Sequence, residues 1–385
     1  MNRQYGAIVI GGGYFGCASA YFLAKAGVST LLLEEKEIGR GASGANFGNV
    51  QVQDASMSQS YDLTLAGFAR MKTMAQELEC DIGYQPYGSL IGAEKEEHLP
   101  ALQELYDTKR QAGLEVRWVQ GEELQAIEPN LAPGAVIAAS YFEQGRIYPF
   151  HYLYALVRQG RKHGLEVREG ACVESLLVEG GRCTGVVLTD GTLCRGEQVI
   201  VAAGSGTRAL CATAGLDVPV CSVKAEAFVT EALQPFLRTY YSSAAFFAEA
   251  HSQKGASTSL CIGQSHYGNL LVAETSKPHD EVSQAGQDCT SLEHLRNIHA
   301  QLLHFFPVLE HIQLLRSWVV PSPYTASYEP IFGRAPVPGL IIAAGFKSAA
   351  VVSAVVGESV AGLVMKDTCN WDLSLYTKDV QRLSS

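Results

Sequence analysis

A glycine-rich segment near the start of the chain has the spacing of a site for a nucleotide pyrophosphate. Gly11, Gly13 and Gly16 form the pattern GxGxxG directly after the apolar segment 6–10. The first glycine of such a pattern permits a tight turn, the second lets the backbone approach the pyrophosphate, and the third lets helix and strand pack closely. The N-terminus of the following helix presents free N–H groups and a partial positive charge to the anion.

The residues around these glycines predict a strand–turn–helix–strand unit. Residues 17–26 have the pattern of a helix that Gly27 can end in the left-handed conformation, and a second apolar strand covers residues 30–33. Glu34 follows that strand about 20 residues after the glycines, where an acid can accept hydrogen bonds from a ribose diol. NAD and FAD both carry an ADP moiety, so this unit alone leaves the two cofactors open.

Three further glycine-rich segments lie where ligands bind in an α/β sheet. The loop 39–49 follows the second strand, and the strands predicted at 198–203 and 339–344 run into Gly204 and Gly345. Ligands of open α/β sheets bind at the carboxyl ends of the strands, where glycine permits close approach of the backbone. A flexible surface loop without a ligand is the alternative interpretation of 39–49.

The spread of these turns over the whole chain predicts one dinucleotide-binding domain assembled from separate segments. We predict an α/β fold in which a Rossmann-like, doubly wound domain is interleaved with an α+β substrate domain that contains an antiparallel sheet. The dinucleotide-binding domain is predicted to comprise residues 1–83, 147–215 and 326–385, and the substrate domain residues 84–146 and 216–325. The segment Pro321-Ser322-Pro323 predicts a break before the last part of the chain.

Composition excludes several classes of protein. The 385 residues carry a net charge of −10, with 47% hydrophobic and 18% charged residues. Disorder requires low hydrophobicity and high charge, and a nucleic-acid-binding protein usually has a basic surplus. The charged fraction is below the roughly 25% typical of soluble proteins, so either the core is large or part of the surface is covered.

The ends, the longest apolar stretch and the cysteines bear on location. We expect a cytoplasmic protein, because the chain enters an apolar strand with no secretory segment ahead of it. The stretch 340–357 is interrupted by Lys347 and closed by Glu358, so a strand, a turn and a buried helix explain it better than a membrane span.

The ten cysteines are scattered without CxxC spacing, which predicts neither a metal site nor an iron–sulfur cluster.

Taken together, these motifs resemble those of the D-amino-acid oxidase-type FAD-dependent oxidoreductases, which include glycine and sarcosine oxidases. The resemblance rests on residues 8–16, 33–36 with 41–43, 199–204, and 331–333 with 345–348. The segment 262–269 is also similar to the Gln-Ser/Thr-x-x-Gly segment of a bacterial branch. That branch contains the flavin subunits of opine oxidase, hydrogen cyanide synthase and hydroxyproline dehydrogenase.

The resemblance implies FAD as the cofactor and an assignment of residues along it. The residues implied for the ADP half are Gly11, Gly13, Gly16, Glu34 and Glu35, with the backbone of Val173 at the adenine and Ala203 and Gly204 near the pyrophosphate. Those implied toward the flavin ring are Ser43, Asn46 and Asn49, followed by Gly345, Phe346, Lys347 and Ser348 at the ring. The implied reaction is hydride transfer from a carbon bearing an amine to flavin N5, giving an imine that hydrolyses.

Two positions depart from the pattern of that family. Ser322 stands where an arginine pairs with the substrate carboxylate, and Ser327 stands where an aspartate is usual. A neutral serine does not replace a guanidinium, which puts an ordinary α-amino acid substrate in question. Lys347 stands where histidine is common, and as the candidate catalytic residue it would stabilise reduced flavin or bind a carboxylate; a solvated lysine is the alternative.

These observations predict an FAD-dependent oxidoreductase that oxidises a secondary amine, an imino acid or a related amino compound. The weaker candidates for its substrate site are Gln51, Gln53, His266, Ser322, Tyr324 and Tyr328. Electrons would pass to oxygen or to a redox partner protein, and the chain would form a homo- or hetero-oligomer. Two alternatives stay open: a flavin subunit with a degenerate pocket that serves electron relay or assembly, and an oxidoreductase acting on a compound without an amine.

Overall fold

The chain forms two compact units, each assembled from separate segments. The computed structural model describes residues 4–55, 57–58, 60–245, 260–278, 290 and 292–383. The first unit comprises Met1–Tyr84, Pro149–Ser222 and Ser322–Ser385, and the second comprises Gln85–Tyr148 and Val223–Pro321. The sequence placed the four boundaries after residues 83, 146, 215 and 325, whereas the units divide after residues 84, 148, 222 and 321.

The described chain contains nineteen strands and nine α-helices. The strands are β1 (Gln4–Ile10), β2 (Thr30–Leu33), β3 (Asn49–Val50), β4 (Gln85–Ala93), β5 (Arg117–Val119), β6 (Ala138–Arg146), β7 (Glu166–Arg168), β8 (Val173–Glu179), β9 (Arg182–Leu188), β10 (Leu193–Val201), β11 (Leu216–Asp217), β12 (Val220–Ala232), β13 (Thr239–Ser243), β14 (Cys261–Gln264), β15 (Asn269–Pro278), β16 (Leu314–Thr325), β17 (Ile331–Arg334), β18 (Leu340–Ala344) and β19 (Gln381–Arg382). The described α-helices are α1 (Tyr14–Lys25), α2 (Tyr61–Glu77), α3 (Leu99–Gln111), α4 (Gly121–Ile127), α5 (Pro149–Lys162), α6 (Thr207–Ala212), α7 (Leu292–Phe305), α8 (Ala349–Lys366) and α9 (Ser374–Thr377).

A largely parallel sheet organises the first unit. Its strands follow the order β17-β18-β10-β1-β2-β7, with β9 paired to β10 and β8 paired to β9. The pairs β18/β10, β10/β1, β1/β2 and β2/β7 are parallel. The carboxyl ends of β1, β2, β10 and β18 therefore meet at one edge of the sheet, and each of these ends is followed by one of the glycine-rich segments. The predicted α/β class with a Rossmann-like domain is confirmed.

The helix Ala349–Lys366 is a core element of the first unit. It packs against α1 and α2, and 67% of it is buried inside the structure. It is the one helix of the described residues that is long enough and apolar enough to cross a membrane. Its burial is typical of a core helix, because a helix that is apolar on all sides needs neighbours around it.

The structure bears on two local predictions, the start of the first helix and the break at Pro321-Ser322-Pro323. Helix α1 begins at Tyr14, three residues before the predicted start, because the glycine turn leads directly into the first helical turn. The break predicted at Pro321-Ser322-Pro323 coincides with the division of the two units after Pro321, although β16 itself continues through both prolines to Thr325. The strand order places β16 at the edge of its sheet, where proline is tolerated because no neighbour requires its missing N–H.

The second unit is built on a mainly antiparallel sheet. Its strands follow the order β16-β12-β15-β14-β13-β4-β6, and β5 pairs with β6. The pair β13/β4 is parallel, whereas β4/β6, β5/β6, β13/β14, β14/β15 and β12/β15 are antiparallel. Side chains of α7 join the apolar core on this sheet, including Ile298 and Leu302. This is the α+β arrangement predicted for the second domain.

Candidate functional site

The first glycine turn holds β1, α1 and β10 in close contact. Gly11 has a φ of +106°, a left-handed conformation that favours glycine. A Cβ atom on Gly11 would lie 2.3 Å from the carbonyl oxygen of Ala202, and one on Gly16 would lie 1.7 Å from the carbonyl oxygen of Gly11. Both positions therefore require glycine, because backbone atoms occupy the space of a side chain.

The N-terminus of α1 is open toward an anion. Gly13 precedes the helix without a side-chain cap, and no acidic residue stands in its first turn. The Tyr14 N–H donates to Ser43 Oγ at 3.0 Å, so the loop after β2 is tied to this helix end. Unpaired N–H groups and the helix dipole favour a phosphate at such a position.

Glu34 lies beside the same turn. Its Oε2 accepts a hydrogen bond from the Gly12 N–H at 2.5 Å, and its Oε1 accepts one from the Lys36 N–H at 2.8 Å. The carbonyl of Glu34 accepts from the Ala171 N–H at 2.8 Å, which brings Val173, the first residue of β8, to this edge of the sheet. Glu35 is exposed. The predicted ADP-binding residues thus share one edge.

Asn46 shapes the glycine-rich loop. Its Nδ2 donates to the carbonyl oxygens of Ala42 and Ser43 at 3.2 and 2.6 Å. Its Oδ1 accepts from the Tyr14 hydroxyl at 3.2 Å and from the Gly48 N–H at 2.7 Å. Burial raises the pKa of Tyr14 well above its usual value, which keeps this hydroxyl a donor. These bonds give the loop a defined conformation, and direct contact of Asn46 or Asn49 with a cofactor stays a prediction.

The turn after β18 lies against the first glycine turn. The ring of Phe346 stacks on that of Phe15 at the start of α1, with centroids 4.3 Å apart. Gly345 and Ser348 have φ values of +73° and +57°, and Ser348 immediately precedes α8. The Ser348 Oγ is buried and has no hydrogen-bond partner among the described residues. A buried hydroxyl without a partner at a helix N-terminus is consistent with a ligand there.

The candidate catalytic lysine is anchored to a residue that the sequence analysis did not single out. Lys347 Nζ donates to the backbone carbonyl of Asp54 at 2.8 Å. Gln51 Nε2 donates to Asp54 Oδ2, while Asp54 Oδ1 is buried without a hydrogen-bond partner among the described residues. Asp54 is the single acidic residue in the segment 50–55 after the glycine-rich loop, and that isolated acid was the available signal.

A small cavity adjoins the turn that carries Lys347. Its wall is formed by Ala55, Ser60, Leu63, Thr64, Tyr328, Pro330, Phe346, Lys347, Ser348 and Val352. A larger cavity of about 680 Å³ lies along α2 and the end of α8 and contains none of the predicted site residues. Of the predicted site residues, Tyr328, Phe346, Lys347 and Ser348 line the smaller cavity.

The candidates Ser322 and Tyr324 lie in the last part of β16, and Tyr328 follows its end. Ser322 is half-buried, and the Tyr324 carbonyl accepts from Cys221 Sγ at 3.2 Å. The rings of Tyr324 and Tyr328 pack edge to face with centroids 5.9 Å apart. Pro323 Cγ would be 4.0 Å from a Cβ on Gly204, so this strand end reaches the glycine turn after β10.

The Gln-Ser-x-x-Gly segment has a structural role in the second unit. Gln264 Oε1 accepts from the N–H groups of Phe236 and Leu237 at 2.7 and 3.1 Å. Its Nε2 donates to the Gly268 carbonyl at 2.9 Å, and Gly268, with a φ of +88°, packs against the carbonyl of Leu233. The segment therefore clamps the loop after β12. His266 lies at its tip, with Nδ1 2.9 Å from Gln85 Nε2.

The parallel sheet, the glycine turns at its carboxyl edge and the open helix N-terminus define a dinucleotide-binding protein. The chain belongs to the family of FAD-dependent oxidoreductases named DAO, whose model matches residues 7–363. It is thus a flavoprotein oxidoreductase with FAD as its cofactor. The buried Ser348 hydroxyl and the N-terminus of α1, which has no acidic residue in its first turn, fit that group.

Similar proteins span nearly the whole chain. A glycine oxidase from Geobacillus kaustophilus is 28% identical over 98% of this chain and 97% of its own length. The sarcosine oxidase subunit beta of Rhodobacter capsulatus is 25% identical over 90% of this chain and 81% of its own length. The crystal structure of the Geobacillus glycine oxidase has a TM-score of 0.85 at 27% identity, covering 97% of this chain and 98% of that one.

Proposed function

We propose that this protein oxidises the C–N bond of a small amino or imino compound. The observation that carries the proposal is the likeness to a glycine oxidase over 98% of the chain, joined to the cluster of Lys347, Asp54 and Gln51 at the turn beside α8. Bound FAD would supply the acceptor for the hydride. The protein residues would bind and orient the substrate.

The cluster offers groups of both charges within one unit of the structure. The Lys347 ammonium carries a positive charge, which can attract a carboxylate or negative charge that develops during the reaction. Asp54 Oδ1 is a buried acceptor without a partner among the described residues, and it can accept an N–H of the amine. This pairing suits a compound that carries both an amine and an acid.

Anaerobic addition of substrates to the FAD-containing protein tests the proposal. The panel would contain secondary amines, imino acids and opines, with hydroxy acids as a separate group, and bleaching of the flavin absorbance would be recorded. Bleaching by an amine or imino compound supports the proposal. Bleaching by hydroxy acids alone would assign a substrate without an amine, and bleaching by none would favour an electron-relay subunit.

The acceptor and the assembly form part of the same proposal. We infer that the electrons pass to oxygen or to a redox partner, and that the chain forms a homo- or hetero-oligomer in the cytoplasm. Relatives named as subunits include the sarcosine oxidase subunit beta of Rhodobacter capsulatus and the hydrogen cyanide synthase subunit HcnC of Pseudomonas aeruginosa. The latter is 23% identical over 98% of this chain.

Lys347→Met is expected to leave FAD bound and to slow reduction of the flavin by substrate at least about tenfold. The substitution removes a positive charge whose hydrogen bonds to charged groups are worth about 1.5–3 kcal/mol each. Stopped-flow anaerobic reduction and the flavin midpoint potential measure the effect. Lys366→Met, at the exposed far end of α8, is the matched control. An unchanged rate together with an unchanged potential would return Lys347 to the class of solvated lysines.

A further inference from the structure

Arg146 occupies an unusual electrostatic position at the end of β6 in the second unit. Its guanidinium lies over the ring of Tyr87, 4.2 Å from the ring centroid. Nη1 donates to the backbone carbonyl of Gln264, and Nη2 donates to Gln85 Oε1 at 3.0 Å. All three partners are electrically neutral, so they orient the guanidinium without balancing its charge.

The charge of Arg146 is not paired with a carboxylate among the described residues. The side chain is half-buried, and its Nε is buried without a hydrogen-bond partner there. Burial lowers the pKa of the guanidinium, because desolvation disfavours the charged form. A partly buried charge with unused donors is costly unless something pairs with it.

Arg117, an arginine on the same sheet, provides a comparison because it forms an ion pair. It lies on β5, with its guanidinium 4.7 Å from the ring centroid of Tyr141. Its Nη1 also forms an ion pair with Glu123 at 2.9 Å. Both arginines therefore stack on a tyrosine, and only Arg117 of the two is neutralised within the described chain.

The surroundings of Arg146 combine fixed polar groups with accessible rings. Gln85 is held between Arg146 and His266, whose Nδ1 is 2.9 Å from Gln85 Nε2. Tyr267 follows His266 and is 54% exposed, and its ring meets that of Tyr148 edge to face at 5.1 Å. Such rings can contact an apolar body while a cation holds an acidic group.

We propose that Arg146 anchors a binding site for a carboxylate-bearing ligand, with Gln85 and His266 positioning it and Tyr148 and Tyr267 contacting the ligand body. Two of the five N–H donors of an arginine are used by Gln264 and Gln85. One N–H on each of Nη1 and Nη2 remains as a donor for a carboxylate oxygen. The site lies within the second unit and does not depend on the flavin reaction.

Calorimetric titration of the FAD-containing protein with benzoate and with benzamide tests the site, because the two probes share a ring and differ in charge. Benzoate is expected to bind and benzamide to bind at least about tenfold more weakly. Arg146→Met should weaken benzoate binding at least about tenfold, since the lost charge-assisted bonds exceed 1.4 kcal/mol. Arg117→Met is the matched control and should leave benzoate binding unchanged. Arg146→Lys, which keeps the charge and loses the fork, should fall between the wild type and Arg146→Met.

A measurement on the unaltered protein covers the case in which Arg146→Met does not fold. Phenylglyoxal labels arginine side chains, and peptide mapping resolves the site of labelling. Benzoate is expected to slow labelling of Arg146 and to leave labelling of Arg117 unchanged. Absence of benzoate binding, equal binding of benzamide, or equal protection of both arginines would overturn the proposal.

Discussion

Gly13→Glu is expected to abolish retention of FAD, with an affinity at least about 100-fold lower than that of the wild type. A Cβ at Gly13 would already lie 2.8 Å from Ser43 Oγ, the atom that accepts from the Tyr14 N–H. The rest of the glutamate side chain would fill the space in front of the helix N-terminus. Its negative charge would also repel the pyrophosphate that this helix end attracts.

The flavin content of the purified protein and its absorbance spectrum measure the effect of Gly13→Glu. Ala26→Glu introduces the same charge at the exposed opposite end of α1 and is expected to retain FAD. Circular dichroism of both variants separates loss of the cofactor from loss of the fold. A yellow Gly13→Glu protein with the wild-type flavin content would refute the assignment of this turn to the pyrophosphate.

Gly16→Ala is expected to destabilise the protein by at least about 4 kcal/mol, although the change adds one methyl group. The added Cβ would lie 1.7 Å from the Gly11 carbonyl oxygen, so the contact between β1 and α1 would have to open. A Gly→Ala substitution within a helix usually stabilises the protein by about 0.5–1 kcal/mol. At Gly16 we expect the opposite effect on the free energy of unfolding. Denaturant unfolding of the FAD-free protein measures it without a contribution from the cofactor.

Gly160→Ala is the matched control for that experiment. Gly160 lies within helix α5 of the same unit, and a Cβ there would meet the end of the Leu165 side chain rather than backbone. A rotatable side chain can move aside at a small cost. We therefore expect a change of less than about 1 kcal/mol. Equal effects of the two substitutions would mean that close packing of α1 on β1 is not what requires glycine at position 16.

Much of the first unit follows from local patterns in the sequence. The GxGxxG spacing, the acid at Glu34 and the apolar strands that end in glycine predict a parallel sheet with its ligand edge, and the sheet has that arrangement. Such patterns are readable because an apolar run followed by glycine has few other structural explanations. The domain boundaries are less readable, since they were predicted after residues 83, 146, 215 and 325 and the units divide after residues 84, 148, 222 and 321.

Local patterns in the sequence do not predict which residues the functional side chains contact. Lys347 and Asp54 are 293 positions apart, and no periodic pattern connects them. Whether Lys347 points into solvent or binds the Asp54 carbonyl depends on how the segment after the glycine-rich loop packs beside α8. The Gln-Ser-x-x-Gly segment likewise resembles a segment of one branch of the family, and the structure shows that Gln264 serves as a clamp.

Arg146 also shows the difference between properties set by neighbouring residues and properties set by contacts between distant segments. The sequence by itself determined the dinucleotide fold and the position of the glycine turns, because these depend on the backbone conformations and burial of neighbouring residues. Only the tertiary structure decided that Arg146 faces neutral partners while Arg117 meets Glu123. The physical reason is that the charge balance of a side chain depends on every segment packed around it, and these segments are brought together by folding.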